Sequence, residues 1–147
     1  MDSTYRARND AARTRLATLI ARLSPQDLDH PLGDGWTVKA ALLHLAFWDR
    51  YAAAVAQQWQ RTGIVATGVE DAYINLAALD DWLAATPEYA LREVVRAAAL
   101  ADRTAAAVGD ALHADLDAHG ETWVCERSVH RAEHLEQIER LLPTRWG

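Results

Sequence analysis

The chain is poor in cysteine and has no long hydrophobic run. Its single cysteine, Cys125, excludes an internal disulfide and is typical of a reducing compartment. No stretch approaches the roughly 20 consecutive apolar residues of a membrane span, and the N-terminal segment MDSTYRARND lacks the apolar centre of a signal peptide. We therefore expect a soluble cytoplasmic protein with no membrane partner.

Positive charge and β-strand patterns are also scarce. Fifteen lysines and arginines stand against 21 acids, which gives a net charge of −6, and the arginines are scattered among the acids. A nucleic-acid-binding surface needs clustered cations, so we expect no nucleic-acid partner. No alternation of apolar and polar residues extends over four positions, and there is no repeat or linker. The sequence predicts a single domain over residues 1–147, large enough to fold unaided.

Helical periodicity dominates the first half of the chain. It predicts helix one from Ser3 to about Arg22 and a short helical turn that starts at Ser24-Pro25-Gln26-Asp27. The segment Pro31 to Gly35 interrupts the pattern. Thr37 is the predicted N-cap of helix two, which runs to about Gln60 and stops at Thr62-Gly63.

The second half predicts two more helices. Residues 63–68 form a loop, and helix three begins at about Val69, restarts at Thr86-Pro87 and continues to about Leu112. His113 to Gly120 is polar, and helix four follows from about Glu121 to Leu142, where Pro143 ends it. The predicted fold class is all-α, most simply an up-down-up-down four-helix bundle with a long connection after helix two.

Three histidines are the strongest chemical signal in the sequence. His44 lies at the centre of the apolar arc of helix two, where each ring nitrogen needs a partner. His130 and His134 are four residues apart and therefore project from one face of helix four. If the two helices meet, the three imidazoles form a facial metal site. The alternative is a set of hydrogen-bonded core histidines without a metal.

Arg127 lies on the same inward arc as the two late histidines. Two interpretations remain open: it pairs with Asp102 on helix three, or it binds an anionic group of a substrate, the interpretation that we favour. Trp48 and Tyr51 are close enough in angle to His44 to line a substrate pocket.

Other polar residues are expected to have lesser roles. Cys125 lies about 140° from His130 on the helical wheel and is interpreted as structural or interfacial. Asp49, at about 140° from His44, is expected at the surface or in an interface. Glu126 is either a solvated acid, a residue that supports His130, or a fourth ligand. Three further histidines occur in polar stretches and are expected to be solvated: His30, His113 and His119.

Two motifs give the chain a family resemblance over essentially its whole length. The first is Trp36-Thr37-Val38-Lys39 followed by His44-Leu45-Ala46-Phe47-Trp48-Asp49; the second is HRAEHLEQI from His130 to Ile138. With these two motifs at this distance from each other in the sequence, the chain resembles the DinB/YfiT-like family of four-helix-bundle proteins.

The resemblance implies a divalent metal held by His44, His130 and His134, with open positions for water or substrate. It also implies a homodimer, and the family includes transferases and isomerases that use mycothiol, bacillithiol or glutathione. In the maleylpyruvate isomerase branch one ligand is a glutamate where this chain has His130. That difference favours the three-histidine branch over maleylpyruvate isomerisation.

The functional prediction combines the residues and the resemblance. We expect a metal-dependent enzyme that acts on a small electrophile, a transferase that uses a low-molecular-weight thiol or a related hydrolase or isomerase, with no catalytic side chain assigned. Zinc or nickel suits three nitrogens best, and iron or manganese would accept more waters. The alternative is a non-catalytic bundle that binds or sequesters a small apolar ligand. A second apolar stripe on helix two, Leu42, Ala46 and Ala53, predicts the homodimer interface.

Overall fold

The computed structural model describes residues 4–66, 68 and 70–142, and within them the chain is mostly helical. This confirms the all-α prediction, while the up-down-up-down arrangement stays a prediction. The predicted boundaries at Ser3, Val69 and Pro143 lie outside the described residues. The elements, in chain order, are α1 (Tyr5–Arg22), a 3-10 helix (Pro25–Asp29), β1 (Pro31–Gly33), β2 (Trp36–Thr37), α2 (Val38–Thr62), α3 (Asp71–Ala84), α4 (Pro87–Ala106), α5 (Asp110–His119), a second 3-10 helix (Thr122–Val124) and α6 (Ser128–Leu141).

Three of the predicted helix starts are capped as the sequence indicates. The Ser24 hydroxyl accepts from the Asp27 N–H at 3.4 Å, and the Asp27 carboxylate accepts from the Ser24 N–H at 2.8 Å. The hydroxyls of Thr37 and Thr86 each accept from the N–H three residues later, at 3.2 Å. These bonds satisfy N–H groups that a helix leaves without an internal partner, and so they fix where each helix begins.

The predicted break before helix two is a small hairpin. Strands β1 and β2 pair antiparallel, with Pro31 opposite Thr37 and Gly33 opposite Trp36. The turn between them places Asp34 at a φ of 52°. The hairpin carries Trp36 to the side of α2, where its ring lies 5.4 Å from that of His44.

Helix α2 is the centre of the fold. It packs most extensively on α4 and also contacts α3 and α6, while α1 packs on α6 and α4. The stripe predicted to face a second copy is already covered within the chain: Leu42 and Ala46 are 0% exposed and Ala53 is 3% exposed. The interface assigned to these residues is therefore wrong, because neighbouring helices of the same chain surround α2. The homodimer itself stays a prediction.

The region between residues 106 and 128 differs from the prediction. Helix α4 ends at Ala106 instead of about Leu112, the polar stretch before Gly120 is part of helix α5, and α6 begins at Ser128 instead of Glu121. Gly120 ends α5 with a φ of 70°, a left-handed conformation that glycine adopts without steric cost. Within the range predicted for helix four the chain instead forms two elements, the second 3-10 helix and α6.

None of the helices within the described ranges is long and apolar enough to cross a membrane.

Candidate metal centre

Helices α2 and α6 bring the three predicted histidines together. His44 projects from α2, and His130 and His134 project from successive turns of α6. Their candidate ligand nitrogens all lie within 4.8 Å of one another, and the Nε2 atoms of His44 and His130 are 2.9 Å apart. The three ring centroids are separated by 4.7 to 4.9 Å. This group could hold a metal ion.

The environment keeps all three imidazoles neutral. Burial lowers the pKa of His44 to about 4, with smaller contributions from His134 and Arg127. Burial also lowers the pKa of His130 to about 2, and the neighbouring Arg127 guanidinium adds to that shift. Burial also lowers the pKa of His134. Near pH 7 each ring therefore has a lone pair that can bind a metal.

Asn75 of α3 orients the His44 ring. Its Oδ1 accepts from Trp48 Nε1 at 2.8 Å and lies 3.1 Å from His44 Nδ1. Because an amide oxygen can only accept, His44 Nδ1 carries the proton and Nε2 presents its lone pair to the other histidines. A hydrogen bond on the nitrogen that faces away from the metal is common in metal sites. The sequence analysis missed Asn75, since nothing marks one amide on a weakly amphipathic helix.

The other two rings have different surroundings. Arg127 Nη2 lies 3.3 Å from His130 Nδ1, so a cation borders the histidine group on the side of α6. His134 Nδ1 is buried and has no hydrogen-bond partner within the described part of the chain. A buried nitrogen without a partner is costly, and a bound ligand would remove that cost.

Beneath the histidines lies a buried network of four charged side chains, which we call the charge network: Asp49, Asp102, Arg127 and Arg131. Arg127 donates through Nε to Asp49 at 2.9 Å, and Arg131 donates to the other Asp49 oxygen at 3.2 Å. Arg131 also binds both oxygens of Asp102, at 2.8 and 3.0 Å. Two positive and two negative charges therefore balance in the interior.

The charge network corrects two predictions. Asp49 is 1% exposed and accepts from two guanidinium groups, so its predicted surface position is wrong. The partner of Arg127 is Asp49 and not Asp102, whose partner is Arg131. The sequence analysis gave Arg131 no role although it lies on the inward face, and its 0% exposure marks it as the centre of the network.

A cavity of about 600 Å³ opens beside His44 and His130. Trp48, Tyr51 and Arg127, the three residues predicted to bind substrate, all line it. His134 does not line the cavity. Further lining residues come from α2, the loop that follows it, α3 and the segment before α6: Val55, Trp59, Ala66, Gly68, Asp71, Asn75, Glu121 and Trp123.

The remaining predicted residues lie outside the histidine group. Cys125 is 0% exposed, and burial raises the pKa of its thiol to about 11, which fits a structural residue. Glu126 pairs with Arg8 and Ser128.

The other three histidines differ in exposure. His119 is exposed, as predicted, and His30 is half-buried. His113 is also half-buried, with Nε2 3.4 Å from the hydroxyl of Tyr5, so its predicted solvation is wrong.

Comparison with protein-family models, with curated proteins and with solved structures gave no match to this chain. The resemblance to the DinB/YfiT-like family therefore rests on the two motifs.

Proposed function

We propose that this chain is a metal-dependent enzyme of the DinB/YfiT-like kind, with a four-helix bundle that holds one divalent ion between His44, His130 and His134. The observation that carries the proposal is the geometry: three neutral imidazoles lie within 4.8 Å of one another at the side of a cavity large enough for a small substrate. Three nitrogen ligands with open positions are typical of catalytic zinc sites.

The residues present fit such an ion. His44 offers Nε2 while Asn75 holds its other nitrogen, and His134 contributes a buried nitrogen that lacks a partner. Three neutral ligands leave the charge of the ion uncompensated, which suits zinc or nickel, and iron or manganese with additional waters. When bound, such an ion acidifies a coordinated water or thiol.

The proposed reaction joins a low-molecular-weight thiol, such as mycothiol, bacillithiol or glutathione, to a small electrophile. The thiol gives up its proton to water, its sulfur forms the new bond to carbon, and the leaving group departs with the electron pair of the broken bond. Trp48 and Tyr51 form an apolar wall that holds the electrophile beside His44 and excludes water. Arg127 lines the same cavity but is already paired with Asp49.

A second candidate is a metal-stabilised protein that binds or sequesters a small apolar ligand without turnover. The aromatic lining of the cavity favours it, since such a surface binds apolar molecules without any reacting group.

Metal content tests the site. We expect about one divalent ion per chain in untagged protein equilibrated with zinc or nickel, and loss of that ion when any one of the three histidines becomes alanine. The matched control is His119→Ala, because His119 is exposed and lies outside the group. If elemental analysis finds no stoichiometric metal after reconstitution with zinc, nickel or iron, the proposal fails.

Thiol consumption separates the two candidates. The metal-loaded protein is incubated with each thiol and a panel of small electrophiles, and loss of free thiol is followed against His130→Ala. Consumption that depends on His130 supports the enzyme. A protein that binds the metal and the electrophiles but consumes no thiol is the binding protein instead.

A further inference from the structure

The cavity wall carries unbalanced negative charge. Asp71, the first residue of α3, and Glu121, before the second 3-10 helix, both line it, and neither has an ion-pair partner among the described residues. Glu121 accepts a hydrogen bond from Trp123 Nε1, which leaves its charge in place. The wall therefore has two carboxylates that no lysine or arginine pairs with among the described residues.

Arg127, the one lining cation within the described residues, does not change this balance. Its Nε donates to Asp49, its Nη1 donates to the carbonyl of Trp123 at 3.0 Å, and its Nη2 faces His130. All three nitrogens have partners, and the residue is 3% exposed. The charge network neutralises the guanidinium, so a ligand carboxylate gains little from it.

The rest of the cavity is aromatic and elongated. The lining residues of α2 run from His44 to Trp59, a distance of about 22 Å at 1.5 Å per residue. Trp48, Tyr51 and Trp59 lie along this stripe. Tyr51 stacks on Phe47 and on Trp123. Arg127 already lies 5.8 Å from the centre of the Trp123 ring, so Trp48 and Trp59 are the lining rings that offer a face to a ligand. The electron-rich faces of such rings attract organic cations.

From these two features we infer that the cavity binds a small ligand with a positively charged amine or quaternary ammonium group. The aromatic rings contact the cation, and Asp71 and Glu121 compensate its charge. A cationic ligand is then the class of substrate for the proposed site. The inference rests on the proposed function in one respect, that the substrate binds in this cavity. It also replaces the carboxylate ligand that the position of Arg127 suggested in the sequence.

Three probes of one shape and different charge test the inference. Choline, neutral 3,3-dimethylbutan-1-ol and anionic 3,3-dimethylbutanoate are titrated into the full chain, and binding is followed by tryptophan fluorescence, since three tryptophans line the cavity. Each titration is made with one equivalent of zinc and again after chelation. We expect choline to bind about tenfold more tightly than the neutral probe after chelation, the size of effect that a partly desolvated cation on aromatic rings gives, and by a smaller factor with zinc bound, because the ion offsets the two carboxylates.

Paired variants identify the carboxylates. The double variant Asp71→Asn with Glu121→Gln should lose most of the preference for choline and keep its affinity for the neutral probe. Asp80→Asn is the matched control, because Asp80 is an exposed acid of α3 that does not line the cavity. The inference is overturned if, after chelation, the neutral or anionic probe binds the unmodified chain as tightly as choline, or if Asp80→Asn has the same effect as the double variant. A chain that binds no zinc contradicts the proposed metal site alone, because the comparison after chelation still decides the charge of the ligand.

Discussion

Arg131→Met should destabilise the protein more than any other single loss from the charge network. Arg131 is 0% exposed and donates to Asp49, to both oxygens of Asp102 and to the Ala98 carbonyl at 3.2 Å. Methionine fills most of the volume but leaves Asp102 buried beside a half-exposed Arg13 at 3.6 Å. Removal of one partner of a buried pair costs about 3 to 5 kcal/mol. For a chain of this length each kcal/mol lowers the melting temperature by roughly 2 to 4 °C.

The assay is urea unfolding followed by circular dichroism, with two further variants. Arg15→Met removes a half-exposed pair with Glu139, and a surface pair of this kind is worth about 0 to 1 kcal/mol. Arg131→Met combined with Asp102→Asn should recover part of the loss, because it removes the carboxylate that lost its partner. If Arg131→Met costs no more than Arg15→Met, the buried network does not stabilise the fold and the reasoning is refuted.

Three other predictions concern the neighbouring residues and the assembly. Arg127→Ala should also lower the urea midpoint of unfolding, but by less than Arg131→Met, because Asp49 is still paired with Arg131. Adding Asp102→Asn should not restore the stability of this variant. If Arg127→Ala leaves stability unchanged, Arg127 is instead free to bind an anionic group of a ligand. Stability should fall between pH 6.5 and pH 4, because burial lowers the pKa of His44 to about 4 and the unfolded chain takes up a proton that the folded chain does not. Each such histidine contributes up to about 1.4 kcal/mol of stability per pH unit in this window. The urea midpoint of His44→Gln should therefore fall less between pH 7 and pH 5 than that of the unmodified chain. An equal fall in the two proteins would contradict the lowered pKa of His44. Sedimentation should show a dimer of the 16.3 kDa chain, and a stable monomer at micromolar concentration would exclude it.

Local signals predicted three helix starts because the chemistry of a cap lies within a few residues. The hydroxyls of Ser24, Thr37 and Thr86 bind the N–H groups that the sequence assigned to them. The same local reasoning failed after Ala106, where short elements follow one another. Gly109 and Gly120 were the available signals, but we extended helix three to about Leu112 and interpreted His113 to Gly120 as a polar connection, instead of a helix between two glycines.

The site was predictable only where its residues share a helix face. The spacing of His130 and His134 fixes their common direction, and the central position of His44 points it inward. Asp49 and Asn75 could not be found in this way. A helical wheel gives the angle of Asp49 but not which neighbour covers that side, and α2 turned out to be covered on nearly every side. Asn75 reaches His44 from a separate helix, through a contact that no spacing in the sequence encodes.

Helix α3 buries few side chains against the rest of the protein, and this affects how a ligand enters and leaves the cavity. Within this helix Trp82 alone is buried, while Tyr73 and Leu76 are 72% and 70% exposed. A helix of 14 residues is marginal by itself in water, so α3 owes its order to few contacts. Segments of this kind open locally without global unfolding and exchange their amide hydrogens early. Asp71 and Asn75 belong to α3, so brief openings of this helix would uncover the cavity. Helices α2 and α6 would meanwhile hold the three histidines in place. The rate of ligand exchange would then follow the rate at which this one helix opens.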